Sequence, residues 1–437
     1  MNRKTVLCPA LVVAAPSSGS GKTTVVAALA RHFTQQGKKV RVFKTGPDFI
    51  DPNFLSFASG NQVYQLDFWM CGEEHCKRLV AEAAQEADLI LIEGVMGMFD
   101  GQCSSADIAA TLGVPVLAVI DAGAMAQTFG AIAYGLAHFR DDIKMHGVVA
   151  NRVGSAVHAQ MLREALPYDL AFCGYLPKQM ELSLPERHLG LVQAQEVEDL
   201  DNKLDLAAKL IAENSDIPLP EPTEFELTES EPLPASLTGT TIAVAYDTAF
   251  SFIYQANMDL LYQSGAEICY FSPINGEVLP ECDAIYLPGG YPELYLQELE
   301  QNSILQQQIR DHVEADKPVL AECGGMLYLN NTLAAVEGET GQMCGVLNAK
   351  SEMQTKLAAL GLVEGKLSEG AGLRGHTFHY SKTESNEKVL CHPISQRGRK
   401  TDPVWLHKKV VASYIHWYFH SNPELVVRIF KGEIAQG

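Results

Sequence analysis

Ala14-Ala15-Pro16-Ser17-Ser18-Gly19-Ser20-Gly21-Lys22-Thr23-Thr24 follows the apolar run Leu11-Val12-Val13 and leads into Val25-Val26-Ala27-Ala28-Leu29-Ala30. A buried strand therefore turns here into a helix, which is the setting of a phosphate-binding loop. Small residues let backbone N–H groups curl around phosphate oxygens, and the helix N-terminus adds its partial positive charge. Gly19, Ser20, Gly21, Lys22, Thr23 and Thr24 are read as the nucleotide cradle, with Lys22 on the terminal phosphates and the Thr23 hydroxyl on Mg²⁺. Pro16 stands where the first glycine of G-x-x-x-x-G-K-[ST] would fall, but the Gly-Lys-Thr end is intact.

Outward from this loop, short β-rich runs alternate with helical patterns as far as about Cys173, the signature of a doubly wound, mostly parallel sheet. The runs are Leu11–Ala14, Val40–Phe43, Leu89–Ile92, Val116–Ile120, Gly147–Ala150 and Ala171–Gly174. Ligands of such sheets sit at the carboxyl ends of the strands. There the second run delivers Lys44, Asp48 and Asp51 in a Gly/Pro-stiffened loop, which suits a Mg²⁺-phosphate site or a plain polar turn. The third delivers Glu93 directly after Leu-Ile-Leu-Ile, where a second oxygen ligand for Mg²⁺ is needed, and then Asp100. At the fifth, the Asn151 amide is placed to read a purine ring or to close a turn.

The 437 residues exceed what one core usually serves, so two domains are expected. Residues 1–213 are read as the nucleotide domain. Residues 214–238, rich in Pro, Glu, Ser and Thr, are read as a linker, and 239–437 as a second α/β domain. A net charge of −20 argues against nucleic acid or an anionic membrane surface as partner. Small-molecule partners are expected, with no membrane. Ten scattered cysteines form no C-x-x-C pair, which fits a reducing cytoplasm.

The second domain opens with Thr241–Ala245 and passes through Ala284-Ile285-Tyr286-Leu287-Pro288-Gly289-Gly290 and a helical stretch near 304–313. It then reaches Pro318-Val319-Leu320-Ala321-Glu322-Cys323-Gly324-Gly325. A strand running into a Gly-flanked Cys and then a helix is a nucleophile elbow, and the helix N-terminus is expected to lower the pKa of the Cys323 thiol. Gly289 and Gly290 can supply oxyanion donors. His416 and His420 are candidate bases, while His376 and His379 are read as core histidines.

Together these segments resemble the cobyrinic acid a,c-diamide synthase family, glutamine-dependent amidoligases that fuse a dethiobiotin-synthetase-like ATP domain to a class I-like glutaminase. The resemblance runs through A-P-S-S-G-S-G-K-T-T, K-T-G-P-D-F-I-D-P, E-G-V-M-G-M-F-D-G, L-P-E-R-H-L-G-L at 184–191, L-P-G-G-Y-P-E, A-E-C-G-G-M-L-Y-L and S-Y-I-H-W-Y-F-H-S-N-P. It implies a ligase in cobalamin biosynthesis, with ATP as co-substrate and Mg²⁺ held by Thr23, Asp48 and Glu93. It also implies Asp51 and Asp100 near the reacting carboxylate, Cys323 as glutaminase nucleophile and His416 as its base. Trp417-Tyr418 stands where class I enzymes place Pro-x-Glu, so a Cys-His dyad is expected rather than a triad. The implied macrocycle is cobyrinic acid, with hydrogenobyrinic acid or nickel-sirohydrochlorin as alternatives, and a homodimer is allowed. A partitioning-type ATPase is a remote alternative, since those proteins carry a lysine where Ser17 stands and lack a glutaminase half.

Overall fold

The computed structural model describes residues 4–179, 199–228, 233, 236–368 and 370–434. The segment 184–191, singled out by its L-P-E-R-H-L-G-L sequence, lies outside the described residues. Backbone contacts divide the chain into two compact units, Met1–Ser230 and Glu231–Gly437.

In the first unit, β1 (Lys4–Cys8) is followed by β2 (Ala10–Ala14), the phosphate loop and α1 (Lys22–Gln35). Then come β3 (Val40–Thr45), α2 (Asp51–Ser59), β4 (Tyr64–Leu66), β5 (Leu89–Glu93), β6 (Val116–Asp121), β7 (Met145–Val153) and β8 (Phe172–Pro177). Seven strands form one sheet in the order β4-β3-β5-β2-β6-β7-β8, with every pairing parallel. The fold is thus the doubly wound parallel sheet expected. The centre of this sheet is apolar on both faces, as a sheet covered by helices on each side requires: β2 and the Leu89–Ile92 run of β5 are buried throughout. Parallel pairing also brings the ends of β2, β3, β5 and β7 to one edge, and with them Lys22, Lys44, Glu93 and Asn151.

The expected linker is partly structure. Within it, β9 (Thr223–Leu227) pairs antiparallel with β1, Lys4 opposite Leu227 and Cys8 opposite Thr223. The alternating Thr-Glu-Phe-Glu-Leu buries Phe225 and exposes its glutamates, a strand pattern hidden among Pro- and Glu-rich neighbours.

The second unit is built on β10 (Thr241–Ala245), β11 (Glu267–Phe271), β12 (Ala284–Leu287) and β13 (Val319–Glu322). These pair in parallel in the order β11-β10-β12-β13 and continue through strand Val410–Ser413 to an antiparallel edge formed by Val404–His407 and Lys388–Cys391. Apolar clusters cover both faces. Two further four-stranded sheets lie in this unit; one of them pairs Ala371–His379 with Ile415–Trp417 and sets His376 opposite His416.

Candidate functional site

The phosphate loop ends at Gly21, whose left-handed φ of 88° turns the chain into α1. No side chain caps this helix and no acid lies in its first turn, so its N–H groups face the loop without a competing acceptor. Gly19 shapes the same loop with φ 76°, and Thr24 follows Thr23 in the first helical turn. The Lys22 ammonium donates to the Ser17 carbonyl at 3.1 Å and to the Met96 carbonyl at 2.7 Å. It thereby ties the loop after β2 to the loop after β5. The Ser20 hydroxyl donates to the Ser17 carbonyl at 3.0 Å. Asn151 lies beneath: its amide nitrogen donates to the Ser20 carbonyl at 2.9 Å, a support for the loop that the sequence did not suggest.

Beside the loop, the Thr23 hydroxyl donates to Glu93 Oε1 at 2.6 Å. The buried Lys44 ammonium lies 2.5 Å from Asp51, 3.1 Å from Glu93 and 3.4 Å from Asp48. Burial alone would drive Lys44 toward its neutral form, but Glu93, Asp51 and Asp48 outweigh it and hold the ammonium charged. Burial raises the Glu93 carboxyl, with Lys44 opposing. Asp48 Oδ1 also accepts the N–H groups of Ile50 and Asp51 at the start of α2. Asp51, expected near a substrate carboxylate, is thus also a member of the cluster around Lys44. Asp100 accepts the Gly97 N–H at 3.0 Å and closes the loop after β5.

Among the described residues no three carboxylate, imidazole or thiol side chains form a ready protein cage for a metal. Mg²⁺ keeps few protein ligands and takes the rest from phosphate and water. Glu93 Oε2 is buried and has no hydrogen-bond partner among the described residues, so the donor set present fits such an ion.

In the second unit Cys323 occupies the turn from β13 into the helix Gly324–Leu329 with φ 41° and ψ −107°, the strained elbow expected of a nucleophile. Its N–H donates to the Ser413 carbonyl at 2.7 Å, which anchors the elbow to the neighbouring strand. The expected depression of its pKa is not found. Burial pushes the thiol up to about 12, with the nearby Glu293 carboxylate adding to the rise, while the Gly324 N–H at the helix start opposes both without prevailing. Burial likewise pulls His416 down to about 3, assisted by His376 and His379. Burial thus favours the uncharged form of both groups.

His416 is the histidine brought to the elbow. A Cβ added to Gly289 would come within 2.2 Å of the His416 Cε1 and 3.3 Å of the Cys323 Cβ, so nucleophile, imidazole and glycine turn meet at one point. His420 lies in the turn Phe419–Ser421, its ring 6.2 Å from Tyr418. His379 stacks on Tyr414 at 3.6 Å and reaches Asp402 at 3.3 Å, the satisfied core role expected of it. Gly289→Ala is accordingly expected to lower glutamine-dependent turnover by on the order of 100-fold, because the added methyl collides with the His416 ring beside Cys323. Glutamate release measured on the folded variant checks this.

Residues 11–192 match the CobQ/CobB/MinD/ParA nucleotide binding domain, and 241–424 the CobB/CobQ-like glutamine amidotransferase domain. A hydrogenobyrinate a,c-diamide synthase of Pseudomonas aeruginosa is 54% identical over 95% of this chain and 96% of its own length. One from Stutzerimonas stutzeri is 53% identical over 95% and 97%. A cobyrinate a,c-diamide synthase of Herminiimonas arsenicoxydans is 42% identical over 97% of both. The chain belongs to the cobyrinate/hydrogenobyrinate a,c-diamide synthase family.

Two carboxylates of this family member escaped the sequence reading. Glu322 accepts the Tyr286 hydroxyl at 2.9 Å and the Trp417 N–H at 3.0 Å. It thereby fixes strand Ile415–Trp417, which carries His416, against β13, which carries Cys323. Glu293, in the turn Pro292–Leu294 after Gly290, is buried near the thiol. The available signal was an acidic residue beside each Gly-rich motif, Glu322 directly before Cys323 and Glu293 shortly after Gly290. Among the described residues no helix is long and apolar enough to cross a membrane.

Proposed function

We propose that this chain amidates two side-chain carboxylates, a and c, of a corrinoid-type macrocycle in cobalamin biosynthesis, using ATP and glutamine in the cytoplasm. The observation that carries this reading is the identity to synthases so named, which runs through both units of the chain. Hydrogenobyrinate is favoured over the cobyrinate expected from the motifs, because relatives named for the metal-free macrocycle share more of the sequence than the relative named for cobyrinate. The test is to supply ATP, glutamine and either macrocycle and identify amidated products by mass. Absence of amide from both would overturn the reading, and preference for cobyrinate would overturn the choice of substrate.

A carboxylate does not accept ammonia at neutral pH, so ATP first phosphorylates it. Gly19 to Thr24 hold the phosphates, Lys22 follows the transferred group, and Asn151 keeps the loop in shape. Thr23, Asp48 and Glu93 would hold Mg²⁺, which supplies charge neutralisation across the phosphates. Lys44 offsets the carboxylates and positions Asp51, which with Asp100 orients the macrocycle's carboxylates. Cys323 attacks the glutamine amide, His416 takes the thiol proton, and backbone N–H groups at Gly289 and Gly290 receive the oxyanion. The ATP products are expected to be ADP and phosphate, resolved by chromatography; AMP with pyrophosphate would exclude an acyl phosphate.

A further inference from the structure

We infer that Glu293 binds the α-ammonium group of glutamine and so helps to place its amide at Cys323. The inference rests on the glutaminase reading of Cys323 and adds a specificity determinant to it. Glu293 is 6% exposed. Among the described residues neither a cation nor a side-chain donor pairs with it; its own backbone N–H is the group that stabilises its charge. A buried carboxylate without a cation is costly, so a side chain retained there is expected to meet one from outside the chain. Burial holds this carboxyl up to about 7, so an arriving cation has much to gain by ionising it.

The position is set by packing. Glu293 follows Pro292, whose ring presses on the elbow: a Cβ on Gly324 would lie 2.8 Å from Pro292 Cδ and 3.0 Å from the Gly290 nitrogen. The turn that carries Glu293 therefore touches both the residue after the nucleophile and the oxyanion loop. Its charge is felt at the sulfur, where Glu293 stands second only to burial in holding the thiol protonated. An uncompensated carboxylate beside a nucleophilic thiol opposes catalysis. Glutamine, whose amide must lie at Cys323, carries one cationic group at neutral pH, the α-ammonium. Bound to Glu293, it pairs with the carboxylate that lies beside the thiol.

The test compares two nitrogen donors on the full-length protein with ATP and hydrogenobyrinate: glutamine, and glutaramate, which has hydrogen in place of the α-amino group. Glu293→Gln is expected to lower the ratio of kcat/KM for glutamine to that for glutaramate by on the order of 10- to 100-fold, mainly through KM for glutamine. Glu293→Asp, which keeps the charge, is expected to recover part of the ratio. Because each ratio is taken on one preparation, partial misfolding cancels; should Glu293→Gln be inert with both donors, the Asp variant decides. A ratio unchanged by the substitutions, or a wild-type protein that uses both donors equally, overturns the inference while leaving the glutaminase reading intact. A wild-type protein that forms amide from ammonium chloride and from neither donor overturns the glutaminase reading itself.

Discussion

Cys323→Ala is expected to abolish glutamine-dependent amidation, by on the order of 10³-fold or more, and to leave amidation driven by ammonium chloride standing. On the proposed mechanism the thiol serves only to cleave glutamine, from the elbow after β13, in a unit with its own two-sided core. Phosphoryl transfer is proposed to depend on the other unit. Free NH₃ therefore replaces glutamine, most effectively at raised pH where less of it is protonated. His416→Ala is expected to behave in the same way, since His416 lies with Cys323 against Gly289 and is the proposed proton acceptor. His420→Ala is expected to retain glutamine use, because that residue sits in the following turn. Product formation by each variant with both nitrogen sources is the measurement. A folded Cys323→Ala protein that fails with both, or that still uses glutamine, contradicts the division of labour.

How much of this was legible depended on how locally each feature is encoded. The phosphate loop and the elbow are contiguous: strand, small residues and helix follow one another in sequence, so their geometry can be read from neighbours alone. The parallel strands are short apolar runs bounded by turn residues and read equally well. The pairing of β9 with β1 could not be read this way, because it joins Thr223–Leu227 to Lys4–Cys8 across the whole first unit and its alternation spans five residues. The electrostatics were misjudged for a related reason. A helix N-terminus is visible in sequence and argues for a lowered thiol pKa, whereas the burial and the Glu293 carboxylate that reverse it arise only when separate segments pack. Lys44 is a similar case: the loop Lys44–Asp51 suggested phosphate and metal ligands, but the ion pairs that hold its ammonium need β5 alongside β3.

Lys22→Ala and Glu93→Gln are expected to eliminate amidation from glutamine and from ammonium alike, each by on the order of 10³-fold. On the proposed mechanism both act before nitrogen arrives, at the step that turns an unreactive carboxylate into an acyl phosphate, so no nitrogen source can bypass them. The Lys22 ammonium, in the first turn of α1, donates to the carbonyls of Ser17 and Met96. Without it the charge developing on the transferred phosphoryl group has no mobile counter-charge. Glu93 carries the Thr23 hydroxyl on one oxygen and leaves the other buried without a partner among the described residues. Replacement by Gln preserves its shape and removes its charge. Lys44 keeps Asp51 and Asp48 as partners in that variant, so the ammonium remains compensated and the fold is expected to survive. Loss of ADP formation in a folded Glu93→Gln protein, alongside retained cleavage of glutamine at Cys323, would place the defect at phosphoryl transfer. Undiminished amidation from ammonium by either variant would mean that the nucleotide chemistry lies elsewhere than at the ends of β2 and β5.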